Sequence, residues 1–206
     1  IDLGYISGFI PRQSIVMTGD ATGNGFVTNT FKKPIFEAQV SVPEFSFNHA
    51  YWGAVNASSD WSNEKKALEF FGNVIDKERN VANIAGHYFF ANDSLDLIGK
   101  ANTLPISFLD YYLQRITLGA KGFASGDLHV FGKKKKITIT ADAFVHPAEL
   151  SVDFLNTSYT FTDNIILKPD SILFRNIAIS DEFWNKVKIN VYVSHNFFED
   201  IKYFVN

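Results

Sequence analysis

The sequence predicts an all-β chain, a long antiparallel-type sheet with one apolar face, and three observations predict it. Apolar and polar residues alternate with period two. The clearest case is 187–193, where Val187, Ile189, Val191 and Val193 alternate with Lys188, Asn190 and Tyr192. The composition favours strands, with 21 Phe against one Met and 16% aromatic residues. The chain also repeats itself at a period of about one hundred residues, with the same alternating faces in both copies.

The repeat sets the order of elements. Residues 6–23 lie over 109–126 without a gap, so that Ile6, Phe9 and Ile10 match Leu109, Tyr112 and Leu113. Gly19, Ala21 and Gly23 match Gly122, Ala124 and Gly126. The match then continues through Phe36, Ala38, Val40 and Val42 onto Ile139, Ala141, Ala143 and Val145. After a two-residue slip, Leu68, Val74, Asp76 and Asn80 fall on Leu173, Ile179, Asp181 and Asn185, and Ala82 and Ile84 on Val187 and Ile189. Two units follow, 1–103 and 104–206.

Each unit opens on a short helical stretch. In the second, at 104–116, Thr103 is placed to cap the helix and Pro105 to occupy its first turn, while Ile106, Leu109, Leu113 and Ile116 recur at helical spacing. The first copy carries Gly4, Gly8 and Pro11, which predict a weaker helix. The rest reads as strand and turn. Phe36, Ala38, Val40 and Val42 oppose Glu37, Gln39 and Ser41, and Leu150, Val152 and Phe154 oppose Ser151 and Asp153. One face to bury and one to wet is the pattern of antiparallel sheets. Lys133, Lys134, Lys135 and Lys136 read as a solvated hairpin turn, or alternatively as a contact for anionic headgroups.

Composition excludes several function classes. Hydrophobic residues reach 46%, enough to build a core. A net charge of −3 leaves no basic footprint for nucleic acid. The absence of cysteine removes disulfides, thiol catalysis and thiolate metal sites. No apolar run is long enough to span a membrane. The start at Ile1 reads as an excised piece whose anchoring elements lie elsewhere.

Candidate chemistry is sparse, and the expectation is a non-enzyme with no cofactor and no metal. His49, His87, His129, His146 and His195 show no ligand spacing. Asp76 and Asp181 fit turns, and His195–Asn196 a strand end with local hydrogen bonds. The glycines of GDATGNG (19–25) precede a strand rather than the helix a phosphate cradle needs. Trp52, Trp61 and Trp184 are expected to pack at sheet edges. Two rivals lack their signatures: a carbohydrate-binding sandwich would need clustered Trp and Tyr, and a parallel β-helix enzyme a much shorter repeat.

Residues 122–206 resemble the repeated β-region of the TamB/AsmA-like family. The resemblance rests on GFASGDLHVFG (122–132), DFLNTSYTFTDNIILKPDSILFRNIAISD (153–181) and NKVKINVYVSHNFF (185–198). In them Leu155, Thr157, Tyr159, Asp181, Asn185, His195 and Asn196 fill the family pattern. The chain departs from it where Glu182-Phe183-Trp184 replaces a glycine after the aspartate turn, and where Val191 replaces a strand glycine that the first copy keeps as Gly86.

The resemblance implies a sheet curled into an open trough, a β-taco, with an apolar inner face. It implies a periplasmic segment of an inner-membrane-anchored Gram-negative envelope protein, engaged in phospholipid transport to the outer membrane. The alternative role it implies is protein secretion and outer-membrane protein assembly with a BamA-like barrel partner, by strand addition. The candidate lipid-facing residues are Phe36, Ala38, Val40 and Val42; Ala82 and Ile84; Ile139, Ala141 and Val145; and Val187, Ile189, Val191 and Val193. Exposing an acyl chain costs about 0.8 kcal/mol per methylene, so roughly 30 methylenes set a barrier on the order of 25 kcal/mol, which a dry surface removes. Periodicity alone fits a closed sandwich core equally well. Open sheet ends favour self-association of the isolated piece.

Overall fold

A computed structural model of the chain describes residues 1–4, 16–28, 35–113, 117–133, 136–153, 156–196 and 199–205. It is one antiparallel sheet of thirteen strands, curled but not closed into a barrel. The strands are β1 (Met17–Thr18), β2 (Thr22–Thr28), β3 (Ile35–Phe47), β4 (Ala50–Ser62), β5 (Ala67–Asp76), β6 (Arg79–Phe89) and β7 (Ser94–Pro105). They continue with β8 (Thr117–Lys133), β9 (Lys136–Val152), β10 (Thr157–Lys168), β11 (Ser171–Asp181), β12 (Lys186–Asn196) and β13 (Glu199–Val205). From β3 onward each strand pairs with the next, while β1 and β2 both pair with β3.

Tight turns make this meander possible. Lys77 and Glu78 adopt φ of 46° and 66°, and Asn48 and His49 47° and 66°. Positive φ at both central residues gives the two-residue turn whose twist matches the flanking strands. The β8–β9 hairpin pairs Lys133 with Lys136. Lys133 is exposed, whereas Lys134 and Lys135 lie outside the described residues, as does the side chain of Lys136.

The two sequence copies share strand registers. Met17 pairs with Phe47 and Thr22 with Ser41 in the first copy; 103 residues on, Ala120 pairs with Leu150 and Ser125 with Phe144. β1 and β2 thus correspond to β8, interrupted at 19–21. The sheet runs on through the 103/104 border, because β7 crosses it and pairs with β8 from Ser94 to Pro105.

Bulges keep the apolar side constant. Between Val42 and Phe45, Ala101 and Leu104, Val145 and Ala148, and Phe174 and Ile177, the strand takes three residues where its neighbour takes two. Each bulge changes the local apolar period from two to three, so the residue after it returns to the face of the one before.

The helical opening of the second copy is shorter than its sequence pattern. A 3₁₀ turn at Ile106–Leu109 runs into one α turn, α1 (Asp110–Leu113). Thr103 does not cap it. Thr103 lies in β7, and Pro105 (φ −59°, ψ 132°) is extended at the cap position with no side-chain cap bond. The bulge in β7 carries the chain to residue 105 as strand, which leaves the turn to start at Ile106. The side chain of Leu113 and all of Ile116 lie outside the described residues, as do residues 5–15, which include most of the weak helix expected to end at Pro11 in the first copy.

Candidate functional site

The strand registers place two unbroken apolar rows on one face of the sheet. One runs Val42, Val55, Val74, Ala82, Ala101, Gly126, Ala143, Ile165, Phe174, Val191. The next runs Val40, Ala57, Gly72, Ile84, Gly99, Leu128, Ala141, Leu167, Ile172, Val193. Each crosses ten strands with no polar side chain. At about 4.8 Å per strand the rows are roughly 43 Å long.

Direct contacts support this shared orientation. A Cβ on Gly72 would lie 3.1 Å from Ile84 Cγ2, and one on Gly99 3.5 Å from the Leu128 Cβ. Twelve sequence candidates (Ala38, Val40, Val42, Ala82, Ile84, Ile139, Ala141, Val145, Val187, Ile189, Val191, Val193) fall on this face by register and alternation. Phe36 lies in β3, but its side chain is outside the described residues.

The 3₁₀ turn and α1 cover one end of the face. Ile106 packs into a core with Ala120, Val145, Ala148, Phe161 and Ile177, joined by Leu109. Phe108 lies against Phe47 and Trp52 at centroid distances of 5.9 and 5.8 Å. The turn therefore touches both β3–β4 and β8–β11, and it ends the apolar rows at the bulge line. Beyond the bulges the face is uncovered among the described residues. Ile84, Leu128, Ile139 and Ile165 are half-buried there, and Val40 is 39% exposed.

The second face changes character along the sheet. Its central row begins polar, as Ser41, Asn56, Asn73, Asn83, Lys100, Asp127 and Asp142, then turns apolar as Ile166, Leu173, Tyr192 and Phe204. Along that central row the expectation of one wet face thus holds for β3–β9 and not for β10–β13, where Lys168, Lys188 and Lys202 stand on the same face to either side of it. A broad groove of about 1090 Å³ is lined by Ser41, Asn56, Asn73, Asn83, Lys100 and Asp127 of that polar row and also by Val40, Ala57, Gly72, Ile84 and Gly99 of the second apolar row.

Ionisable groups gather in pairs rather than in centres. His87 Nε2 lies 3.1 Å from Glu69 Oε1 and 2.8 Å from Lys65 Nζ; His129 Nε2 lies 2.7 Å from Asp96 Oδ1. The bonds from His87 and Lys65 hold the Glu69 carboxyl below its usual range. Sequence spacing hides both histidine pairs because the partners sit on neighbouring strands. No group of three or more potential metal ligands occurs among the described residues. Asp181 serves a turn, as its sequence suggests: its carboxylate accepts from the N–H of Phe183 (2.9 Å) and of Asn185 (2.8 Å). His195 is buried at the end of β12, where its N–H donates to the Asp170 carbonyl at 2.9 Å. Trp52 and Trp61 pack on aromatic neighbours, whereas Trp184 is 83% exposed at a hairpin tip rather than packed at an edge.

No helix among the described residues is long and apolar enough to cross a membrane. No family model, curated protein or solved structure matches the chain.

Proposed function

We propose that the uncovered apolar face accommodates phospholipid acyl chains, and that the chain is a non-catalytic, periplasmic segment of a TamB/AsmA-like envelope protein acting in lipid transport to the outer membrane. One observation carries this reading: two adjacent rows of ten nonpolar residues, with no second layer over most of their length among the described residues. A face of that width left in water is costly at about 25 cal/mol per Å², and monomers rarely leave so large a patch bare. An acyl chain needs only continuity of nonpolar contact, which the rows supply across strand after strand. Lys133, at the end of β8 away from α1, would meet anionic headgroups.

The test places a photo-crosslinking phenylalanine at Ala141, in the middle of the second row, and at Thr140, its neighbour on the other face. Lipid adducts at 141 and none at 140 are the expected result. No adduct at either position, with the protein folded and at cellular abundance, overturns the reading.

The second reading is a scaffold for outer-membrane strands working with a BamA-like barrel. It is favoured by the pairing of β12. Among the described residues β13 pairs β12 only from Val191 onward, so Lys186–Asn190 is where an incoming strand would add. Protein adducts from a crosslinker at Asn190 would favour it.

A further inference from the structure

The β11–β12 hairpin holds two aromatic rings out in water. Phe183 is 74% exposed and Trp184 83%. Trp184 adopts φ +65°, a left-handed conformation that glycine takes without steric cost and a bulky side chain does not. The turn is nonetheless firmly tied. Besides its two carboxylate bonds, Asp181 accepts the Trp184 N–H on its carbonyl at 3.1 Å, and Asn185 Nδ2 donates to Asp181 Oδ2 at 2.8 Å. The Asp181 N–H returns to the Asn185 carbonyl at 3.1 Å. Lys186 and Lys188 follow on β12, both exposed, with Glu182 the exposed acid at the tip.

We propose that this tip is a lipid-surface anchor, in which Phe183 and Trp184 enter the boundary between headgroups and acyl chains while Lys186 and Lys188 meet the phosphates. Size selects this occupant. Each ring offers about 150–250 Å², so the pair supplies on the order of 400 Å², short of the roughly 800 Å² per partner in a stable protein interface. A bilayer surface accepts a contact of that size, and an indole with an apolar body and a polar N–H suits that boundary. The hydrogen-bonded turn fixes the backbone that carries both rings, so little main-chain freedom remains to be lost on insertion. The inference stands on the hairpin alone and does not depend on the apolar face carrying lipid.

The test mixes the intact chain with vesicles of phosphatidylcholine, and of phosphatidylcholine with phosphatidylglycerol, and measures flotation and tryptophan emission. The Trp184 signal is the difference between the unaltered protein and Trp184→Phe. Expected are co-flotation strengthened by phosphatidylglycerol, a blue shift of that signal, and its quenching by brominated acyl chains. Phe183→Ser with Trp184→Ser should weaken vesicle binding by about 100-fold with an unchanged circular dichroism spectrum. The inference is overturned if the double variant floats as well as the unaltered protein or if the Trp184 emission does not shift. It is also overturned if the double variant instead dissolves a dimer of the unaltered chain. Lipid adducts at Ala141 that persist when flotation fails would sink the anchor and leave the lipid-bearing face standing.

Discussion

A side chain on Gly122 would overlap the carbonyl oxygen of Pro147 on the neighbouring strand. The same relationship occurs 103 residues earlier, where a Cβ on Gly19 would stand 2.5 Å from the Glu44 carbonyl oxygen. Both glycines are left-handed, at φ 123° and 137°, and both face a bulge. Close backbone approach at the bulge requires glycine in each copy. Gly122→Ala should therefore destabilise the fold by about 2–4 kcal/mol, seen as a lower urea midpoint. Gly72→Ala is the control: its backbone is not left-handed, and its new methyl comes nearest a side-chain methyl, Ile84 Cγ2 at 3.1 Å, rather than backbone. Equal losses at the two positions would refute the close-approach account.

Besides its apolar packing, the turn over the apolar rows is hydrogen-bonded to the sheet by Asp110. Asp110 Oδ1 accepts the N–H of Ala120 at 2.5 Å, and Ala120 is 1% exposed. Asp110→Ala strands a buried donor, at a cost of about 1–3 kcal/mol, while Asp110→Asn keeps an acceptor and most of the stability. The same loosening should expose Ile106 and its partners, read as increased binding of an apolar dye by Asp110→Ala alone. Identical stability of the two variants would count against this role.

The fold was legible where strands are regular. At 187–193 and 36–42 the alternation is unbroken, and both segments are strands. Elsewhere the bulges hide it: Val145 and Ala148 share a face although three positions apart, which a period of two assigns to opposite sides. The amide row of the second face was not legible, because Asn56, Asn73 and Asn83 come into line only through register. Trp184 was missed for another reason. A tryptophan is ordinarily placed by burial, and nothing in EFWN states that the turn holds it outward. The residues of the apolar face were the easier part, since the same strand alternation that predicts the sheet also sorts its faces.

Like charges meet on the second face. Asp127 and Asp142 are directly opposed on β8 and β9, both exposed. Carboxylates in that geometry repel each other across the strands. Asp142→Asn should raise stability by about 0.3–0.8 kcal/mol at low salt, and the gain should shrink in about 1 M salt as screening removes the repulsion. A gain independent of salt would point to some cause other than charge.

Acidification should act through His195. Burial holds its imidazole below the ordinary value of 6.5, with the Asp170 carboxylate pulling the other way. Below 6.5 the unfolded chain then binds more protons at this site than the folded one, so stability rises with pH across that interval. The contribution is fully present above about pH 6.5 and is lost as the pH falls through the folded value. The urea midpoint should therefore drop between about pH 7.5 and about pH 5.5, before the carboxylates titrate. His195→Gln cannot take up the proton, so its midpoint should stay level over the same range even if it starts lower. A slope as steep in His195→Gln as in the unaltered chain would assign the acid sensitivity to another group.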